Sequence, residues 1–290
     1  METIRATYQA PFVRDDAGAL RGALVVRTSR ALERELPLQG EPSPIAARAA
    51  EQQAVMIGRL GSCGVKVQVV EPPEDAPLAA LCADYAVIFR DGAFLMRPSD
   101  AAQRRGMALV EGWLEAIHFP IVGRIEAPGL LDGGDVLRAG DTVFVGVPHV
   151  PQSDVGIRQT ARGNAFGREQ LAAYARSLGL KVVEVPLSSE ARRLRSVASI
   201  VDAETVLYAP GIIDGSLAFA PFKRIEVPRG EDFGAGVLTL GPRRVLANVR
   251  FRTVLPLLRR AKIGVEAIDL WEFGKIGATP SSLVLALKRE

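Results

Sequence analysis

A unit of hairpin, helix and strand recurs along this chain, and this repetition constrains the fold more than any other feature. The units return about five times at a spacing of roughly 45–60 residues. Short polar turns separate paired β-type runs at residues 90–92, 139–141, 202–204 and 241–243. One unit cannot bury its sheet face alone, so the units must pack in a ring or a stack. No linker or low-complexity segment interrupts them, and we predict one α/β domain over residues 1–290.

Helices are predicted between the paired strands. The pattern indicates one from about Ile45 to Leu60, with the ring of Pro44 suited to its first turn. Ser99 and Asp100 can cap a second helix that runs to about Ile117. A third is expected over 165–178, ending at a glycine, and a fourth near 253–262.

Composition excludes several classes of function. The formal net charge is only +3 and aromatic residues make up 6% of the chain, whereas nucleic-acid binding favours a dense basic stripe with interleaved aromatics. No apolar run reaches the ~18–20 residues of a membrane span. The first residues show no apolar signal-peptide core, so we expect a cytoplasmic protein. The two cysteines and two histidines fit no zinc motif, and we expect neither metal nor cofactor.

The run Leu-Asp-Gly-Gly-Asp-Val-Leu at residues 131–137 has the composition of a functional turn. Its two glycines allow the backbone to turn tightly and to approach a ligand closely. The carboxylates of Asp132 and Asp135 are suited to bind a cation or to orient a catalytic histidine. The alternative is a plain loop that enters a strand.

The surroundings of this turn carry a family resemblance. After residues 131–137 come Val145-Gly146 and then the spaced pattern Arg162-x-Asn164-x-x-Gly167-x-x-Gln170-Leu171. In this order, from about residue 22 to the C-terminus, the chain resembles the dimethylarginine dimethylaminohydrolases of the guanidine-modifying superfamily. The resemblance implies the pentein fold, a five-bladed α/β propeller with its site on the central axis, and this agrees with the repeat.

The resemblance also implies a chemistry. In the family a cysteine thiolate attacks the guanidinium carbon, and water hydrolyses the covalent intermediate. A histidine transfers protons, a carboxylate orients it, another carboxylate pairs with the guanidinium, and an arginine binds the substrate carboxylate. By position, Asp84 resembles the guanidinium-binding residue, Asp132 the orienting carboxylate and Arg162 the carboxylate-binding arginine. Arg97 is a candidate second carboxylate-binding arginine, and the alternative is that it belongs to a solvated cluster with Arg104 and Arg105 at the start of a helix. Asp91 and Asp135 can also line the site.

Two positions depart from the family pattern. In the alignment that the resemblance implies, Arg193 stands where the family has its histidine and Pro280 stands where it has its cysteine. A shift of one residue in the C-terminal segment would place Ser281 at the cysteine position instead. Arginine stays protonated near neutral pH and cannot act as a general base, and proline has no nucleophile. Residues 147–161 form an insertion that the family lacks. The standard thiol mechanism is therefore not expected at these positions.

Other residues are candidates for relocated catalytic groups. Cys82 lies two residues before Asp84, so strand alternation would place both on one face. The alternative for Cys82 is a small buried core residue. Ser281 and Ser282 are candidate nucleophiles without a histidine partner identifiable from sequence, and His149 lies in the insertion.

Three functional hypotheses follow. In the first, the protein binds a small ligand of amino-acid or guanidino type without thiol catalysis. In the second, it is an active hydrolase of C–N bonds with a relocated nucleophile. In the third, it is a non-catalytic pentein that binds a macromolecule. The sequence decides neither whether the chain is an enzyme nor whether it forms a homo-oligomer.

Overall fold

The computed structural model describes residues 8–100, 103–148, 163–188, 190–191 and 193–290. These residues form five small sheets of three strands each. In every sheet an antiparallel pair is extended by a third strand that runs parallel to the middle one. This is the five-bladed repeat that the sequence predicts.

The blades follow one another along the chain. Four of them are β3-β4-β5, β6-β7-β8, β9-β10-β11 and β12-β13-β14, and the fifth is β15-β1-β2. The strands are β1 Leu20–Val26, β2 Lys66–Val70, β3 Ala86–Ile88, β4 Ala93–Leu95, β5 Ile121–Arg124, β6 Val136–Ala139, β7 Thr142–Pro148, β8 Lys181–Leu187, β9 Ala198–Asp202, β10 Thr205–Tyr208, β11 Lys223–Glu226, β12 Leu238–Gly241, β13 Arg244–Asn248, β14 Gly264–Ile268 and β15 Leu285–Arg289.

The two ends of the chain meet in the fifth blade. Strand β15 pairs antiparallel with β1, so that Leu285 lies opposite Leu24 and Ala286 lies opposite Ala23. Because the last strand completes the blade to which the first strand belongs, the two ends of the described chain close the ring. The sequence predicts β1 but not this pairing, which joins residues more than 260 positions apart.

Helices connect the middle strand of each blade to its parallel third strand, as a parallel crossover requires. They are α1 Ala46–Ser62, α2 Arg105–Ala116, α3 Ala165–Ser177, α4 Leu194–Val197, α5 Gly215–Ala218, α6 Val254–Arg260 and α7 Trp271–Gly274, of which the four-residue α4 and α7 precede inner strands instead. In α3 the side chain of Asn164 accepts a hydrogen bond from Gly167 N, and the helix stops before Gly179, whose φ of +77° suits glycine.

The predicted start of the second helix is wrong. Helix α2 begins at Arg105, several residues after Ser99 and Asp100, and neither side chain caps it. The Ser99 hydroxyl instead accepts a hydrogen bond from Gly163 N, which ties this loop to the start of the next blade's helix. The first helix begins at Ala46, so Pro44 lies just ahead of its first turn.

The first strand of each blade faces the axis of the ring. Strands β3, β6 and β12 are buried along their whole length, whereas the third strands β2, β5 and β11 contain no fully buried residue. Inner strands of neighbouring blades contact one another: β15 contacts β3, β6 contacts β9, and β9 contacts β12. None of the described helices is long and apolar enough to cross a membrane.

Candidate functional site

Four short segments meet at one end of the axis, each directly ahead of an inner strand. They are the 3-10 helix Cys82–Asp84 before β3, the 3-10 helix Gly133–Asp135 before β6, helix α4 before β9, and the 3-10 helix Pro280–Ser282 before β15. These segments pack against one another. The topology therefore brings together parts of the chain that are 50 to almost 200 residues apart in sequence.

A buried polar cluster lies where these segments meet. Its members are Asp84, Gln103, Asp132, Asp135 and Arg193, and we call it the axial cluster. Arg193 is the most exposed of them at 7%, and Asp84 is fully buried. Charged groups are almost never this buried unless they are paired, so the contacts within the cluster determine what the site can do.

The strongest contact joins Asp84 to Arg193. Nη2 of Arg193 lies 2.6 Å from Oδ2 of Asp84. The same Oδ2 accepts a hydrogen bond from Nε2 of Gln103 at 2.5 Å, and Oδ1 accepts one from Gly134 N at 3.1 Å. Gln103 in turn accepts a bond from Arg193 Nη2 at 3.3 Å. Both carboxylate oxygens of Asp84 are thus satisfied by the protein itself.

The two glycines of the turn are required by this packing. A Cβ on Gly134 would collide with Cδ of Arg193 and lie 2.5 Å from Oδ1 of Asp84. A Cβ on Gly133 would collide with the carbonyl oxygen of Ala83. The Asp-Gly-Gly-Asp run is therefore not a plain surface loop, because its backbone must lie against Asp84 and Arg193.

Asp132 has an unusual protonation equilibrium. Burial raises the pKa of its carboxyl to about 7, despite the nearby charge of Arg193. The carboxylates of Asp84 and Asp135 add to the rise. Its Oδ2 lies 3.8 Å from Arg193 Nη2, and its Oδ1 accepts a hydrogen bond from Ser99 N at 3.0 Å. Asp132 thus titrates close to neutral pH.

Arg193 is held as a cation. Burial alone would lower the pKa of its guanidinium, but the three surrounding aspartates outweigh this and raise it above the ordinary value. Its Nε is buried and has no hydrogen-bond partner among the described residues. Asp135 accepts a bond from Leu194 N at 2.9 Å and so fixes the backbone next to Arg193. A group held in this state cannot serve as a general base.

The serine hydroxyls around Pro280 form hydrogen bonds with the backbone. The Ser281 hydroxyl donates to the carbonyl oxygen of Arg195 at 3.0 Å. The Ser282 hydroxyl donates to Thr279 O at 2.7 Å and accepts from Thr279 N, which caps the short helix. Both hydroxyls hold the backbone of this turn in place.

Cys82 is turned toward the backbone rather than toward the axial cluster. Residues 82–84 form a 3-10 helix, so the expectation that strand alternation places Cys82 and Asp84 on one face is wrong. The Cys82 thiol donates to Leu24 O at 3.3 Å and to Leu283 O at 3.4 Å. Burial raises the pKa of this thiol to about 12, which keeps it protonated and weakly nucleophilic.

The remaining candidate residues lie in different places. Arg97 is half-buried beside the cluster, where its backbone pairs with Leu131 and its Nη1 donates to Gly129 O at 3.1 Å. Asp91 lies beyond the opposite end of β3, where its carboxylate accepts a hydrogen bond from Tyr174 at 2.9 Å. The structure does not bring Asp91 to the cluster. Arg162, His149 and most of the insertion 147–161 lie outside the described residues.

Gln103 is the member of the cluster that sequence reasoning missed. It belongs to none of the motifs, and it lies in the turn ahead of α2 rather than beside an inner strand. Its position between Asp84 and Arg193 depends on how the loop after Arg97 folds back over the axis. Among the described residues, no group of three or more His, Cys, Asp or Glu side chains is arranged to hold a metal ion.

Known proteins with related sequences align with most of this chain. The N(G),N(G)-dimethylarginine dimethylaminohydrolase of Streptomyces coelicolor is 31% identical over 242 residues, which cover 83% of this chain and 86% of the relative. The enzyme of the same name from Pseudomonas aeruginosa is 26% identical over 242 residues, covering 83% of this chain and 89% of the relative. No protein-family model matches the chain.

Solved structures agree on the fold. A dimethylarginine dimethylaminohydrolase from Pseudomonas aeruginosa, crystallised as a mutant with citrulline, superposes with a TM-score of 0.81 at 24% identity, covering 92% of this chain and 99% of that one. An amidinotransferase from Microseira wollei superposes with a TM-score of 0.77 at 15% identity over 97% of both chains. With its five blades and this shared sequence, the chain belongs to the dimethylarginine dimethylaminohydrolase family of the guanidine-modifying pentein superfamily.

Proposed function

We propose that this chain binds a small amino-acid-type ligand at the axial cluster without the thiol chemistry of its family. The observation that carries the proposal is the 2.6 Å pair between Arg193 and Asp84. By its family position, Asp84 is the carboxylate that would pair with the guanidinium of a substrate. Here a guanidinium from the chain itself occupies that carboxylate.

This internal pair discriminates between ligand classes. A guanidino ligand must displace Arg193 from Asp84, and the displaced arginine would remain as a buried like charge beside it. Like charges at close range in a buried site oppose binding. A ligand with an uncharged ureido side chain, such as citrulline, has no such competition, because its carbonyl oxygen can accept from a guanidinium. We therefore favour the neutral amino-acid ligand over the guanidino ligand.

Arg162 completes the proposed ligand site. Its role is carried over from the family motif, in which an arginine binds the substrate carboxylate through paired hydrogen bonds. Arg162 precedes Asn164, the residue that caps α3, and Asn164 accepts a hydrogen bond from Leu130 N next to the Asp132 turn. This hydrogen bond holds the start of α3 near the turn that carries Asp132, and so near the axial cluster.

Calorimetric titration with citrulline and with arginine tests the proposal. We expect citrulline to bind and arginine to bind at least about tenfold more weakly, which corresponds to a difference of about 1.4 kcal/mol. Arg162→Ala should abolish citrulline binding, whereas Arg252→Ala, which removes an exposed arginine, should leave it unchanged. Arginine binding as tightly as citrulline would contradict the role given to the internal pair.

One observation favours the hydrolase alternative. A buried carboxyl with a pKa of about 7, as at Asp132, is suited to act as a general base near neutral pH. It would have to activate water directly, since no thiolate stands at position 280. Citrulline binding without product release from arginine-like substrates supports the ligand-binding function, and product release that Asp132→Asn abolishes supports the hydrolase.

A further inference from the structure

A large cavity opens at the other end of the propeller. It has a volume of about 770 Å³ and is lined by the turns that follow the inner strands β9 and β12, by the end of β15 and by residues of the segment 11–18. The axial cluster precedes the inner strands and this cavity follows them, so the two lie at opposite mouths of the ring. A volume of this size falls in the range of small-molecule sites.

The acidic side chains of the cavity already have partners. Asp202 pairs with Arg243 at 2.9 Å, and Glu204 pairs with Lys223 at 2.9 Å. The Glu290 side chain pairs with Arg21 at 2.8 Å. Within each pair the two charges cancel. Neither partner therefore carries an uncompensated charge that would attract a charged ligand.

Three basic residues of the cavity wall have no such neutralising partner. Among the described residues, none of Arg14, Lys288 and Arg289 lies within ion-pair distance of a carboxylate. Arg14 is exposed, and Lys288 donates only to the backbone carbonyls of Gln9 and Pro11, at 3.0 and 2.7 Å. The remaining acid, Asp15, accepts from two backbone amides of its own loop, Ala17 N and Gly18 N. The wall therefore holds three cations without a described ion-pair partner against the one carboxylate of Asp15, and the sum of these charges is positive.

Arg289 is a buried member of this set. It is 6% exposed, its Nη1 donates to Gly18 O and Thr239 O, and its Nε is buried without a partner among the described residues. The acid deeper in the axis is Asp16, which is already paired with Arg195 at 2.9 Å and with Arg138 at 3.3 Å. The charge of Asp16 also acts on Arg289, but at longer range than an ion pair, so one buried aspartate faces three arginines. Burial lowers the pKa of Arg289 to about 10.

We propose that this cavity is a binding site for an organic anion that carries carboxylate or phosphate groups, held by Arg14, Lys288 and Arg289. Arginine forks match the oxygens of both groups. The site is separate from the axial cluster and does not depend on the function proposed there. An anion would supply the negative charge that the wall and the upper axis lack.

Isothermal titration at constant ionic strength tests the site. The probes are inorganic phosphate, citrate and adenosine monophosphate, with adenosine as the uncharged comparison. We expect at least one of the anions to bind saturably and adenosine not to bind. Arg14→Ala and Lys288→Met should each raise the Kd about tenfold, the effect of losing one charge-assisted hydrogen bond. Arg252→Ala should leave the Kd unchanged, because Arg252 follows β13 at the other end of the ring.

Two results would overturn the site. One is that no anion of the panel binds. The other is that the variants fail to single out the cavity. This is the case if an anion binds the wild type, Arg14→Ala and Lys288→Met with the same Kd, or if Arg252→Ala raises the Kd as much as they do, because the anion then adsorbs to surface charge in general. Arg14 is exposed and has no described partner, so its variant is expected to fold and the comparison holds even if substitution at Lys288 lowers stability.

Discussion

Nη2 of Arg193 lies 2.6 Å from Oδ2 of Asp84, and neither residue is exposed by more than 7%. Within the dimethylarginine dimethylaminohydrolase scaffold this pair places a protein guanidinium on the carboxylate that resembles the family's guanidinium-binding residue. The pair links the turn before β9 to the turn before β3. It has consequences for stability as well as for ligand choice.

Replacing Arg193 by methionine should strongly destabilise the protein. Asp84 would keep its burial and lose the only cationic partner that it has among the described residues. Breaking one side of a buried pair costs about 3–5 kcal/mol. The measurement is urea unfolding followed by circular dichroism. A matched control is Arg176→Met, because the pair of Arg176 with Glu169 is exposed and such pairs contribute about 0–1 kcal/mol. Equal losses in both variants would contradict the importance of the buried pair.

Stability should depend on pH through Asp132. Its pKa is about 7 in the folded protein, whereas an aspartate in an unfolded chain has a pKa of about 4. Between these values the folded state holds a proton that the unfolded state has released. The contribution of Asp132 is therefore fully present below pH ~4 and is lost as the pH rises to about 7.

The variant Asp132→Asn isolates this effect. We expect the free energy of unfolding of the wild type, minus that of the variant, to fall between pH 4.5 and 7.5, because asparagine does not titrate. Urea unfolding at several pH values gives this difference directly. A difference that is flat or rises with pH would show that the carboxyl is ionised throughout, as an ordinary surface aspartate is.

Gly134 should not tolerate a methyl group. In Gly134→Ala the new Cβ would overlap the Arg193 side chain and crowd Oδ1 of Asp84, and overpacking of this kind costs about 1–3 kcal/mol. Gly112 in α2 is the matched control, since a Cβ there meets nothing within 4 Å. Gly112→Ala should stabilise the helix by about 0.5–1 kcal/mol. Thermal unfolding of the two variants should shift in opposite directions, and a neutral Gly134→Ala would contradict the packing described here.

Cys82 should resist alkylation in the native protein. It is fully buried and its thiol pKa is raised to about 12, whereas Cys63 is partly exposed. Iodoacetamide should add one label to the native protein, at Cys63, and two in urea, as read by mass spectrometry of peptides. Rapid native labelling of Cys82 would instead identify it as an accessible thiolate and restore it as a candidate nucleophile.

The repeat can be predicted from the sequence because four of the five blades contain the same local pattern, a hairpin followed by a helix and a strand. Alternating apolar runs around short polar turns such as Ala139–Asp141 indicate hairpins whatever the rest of the chain does. Residues Asp132, Asp84, Arg193 and Pro280 were found because they hold positions in ordered motifs. Local patterns cannot predict which distant strand pairs with a given strand. The pairing of β15 with β1 joins residues near the two ends of the chain.

Two residues illustrate why the site was predicted only in part. Strand alternation would place Cys82 and Asp84 on one face, but the chain adopts a 3-10 turn there. Alanine and aspartate are both depleted in strands, and the alternation rule takes no account of that preference. Gln103 is drawn onto Asp84 by tertiary packing of a loop, for which the sequence carries no motif. Both residues lie in irregular backbone, for which the periodicity of apolar residues predicts no structure.

The most direct test of the central claim is a turnover assay of the purified protein at neutral pH. The substrates are arginine, N(G),N(G)-dimethylarginine and agmatine, and citrulline, urea and amine are followed together. We predict no product from any of them, because Arg193 occupies Asp84 and Pro280 supplies no thiolate. Release of citrulline, urea or amine above the background of the Asp132→Asn variant would contradict this account and establish a relocated catalytic apparatus.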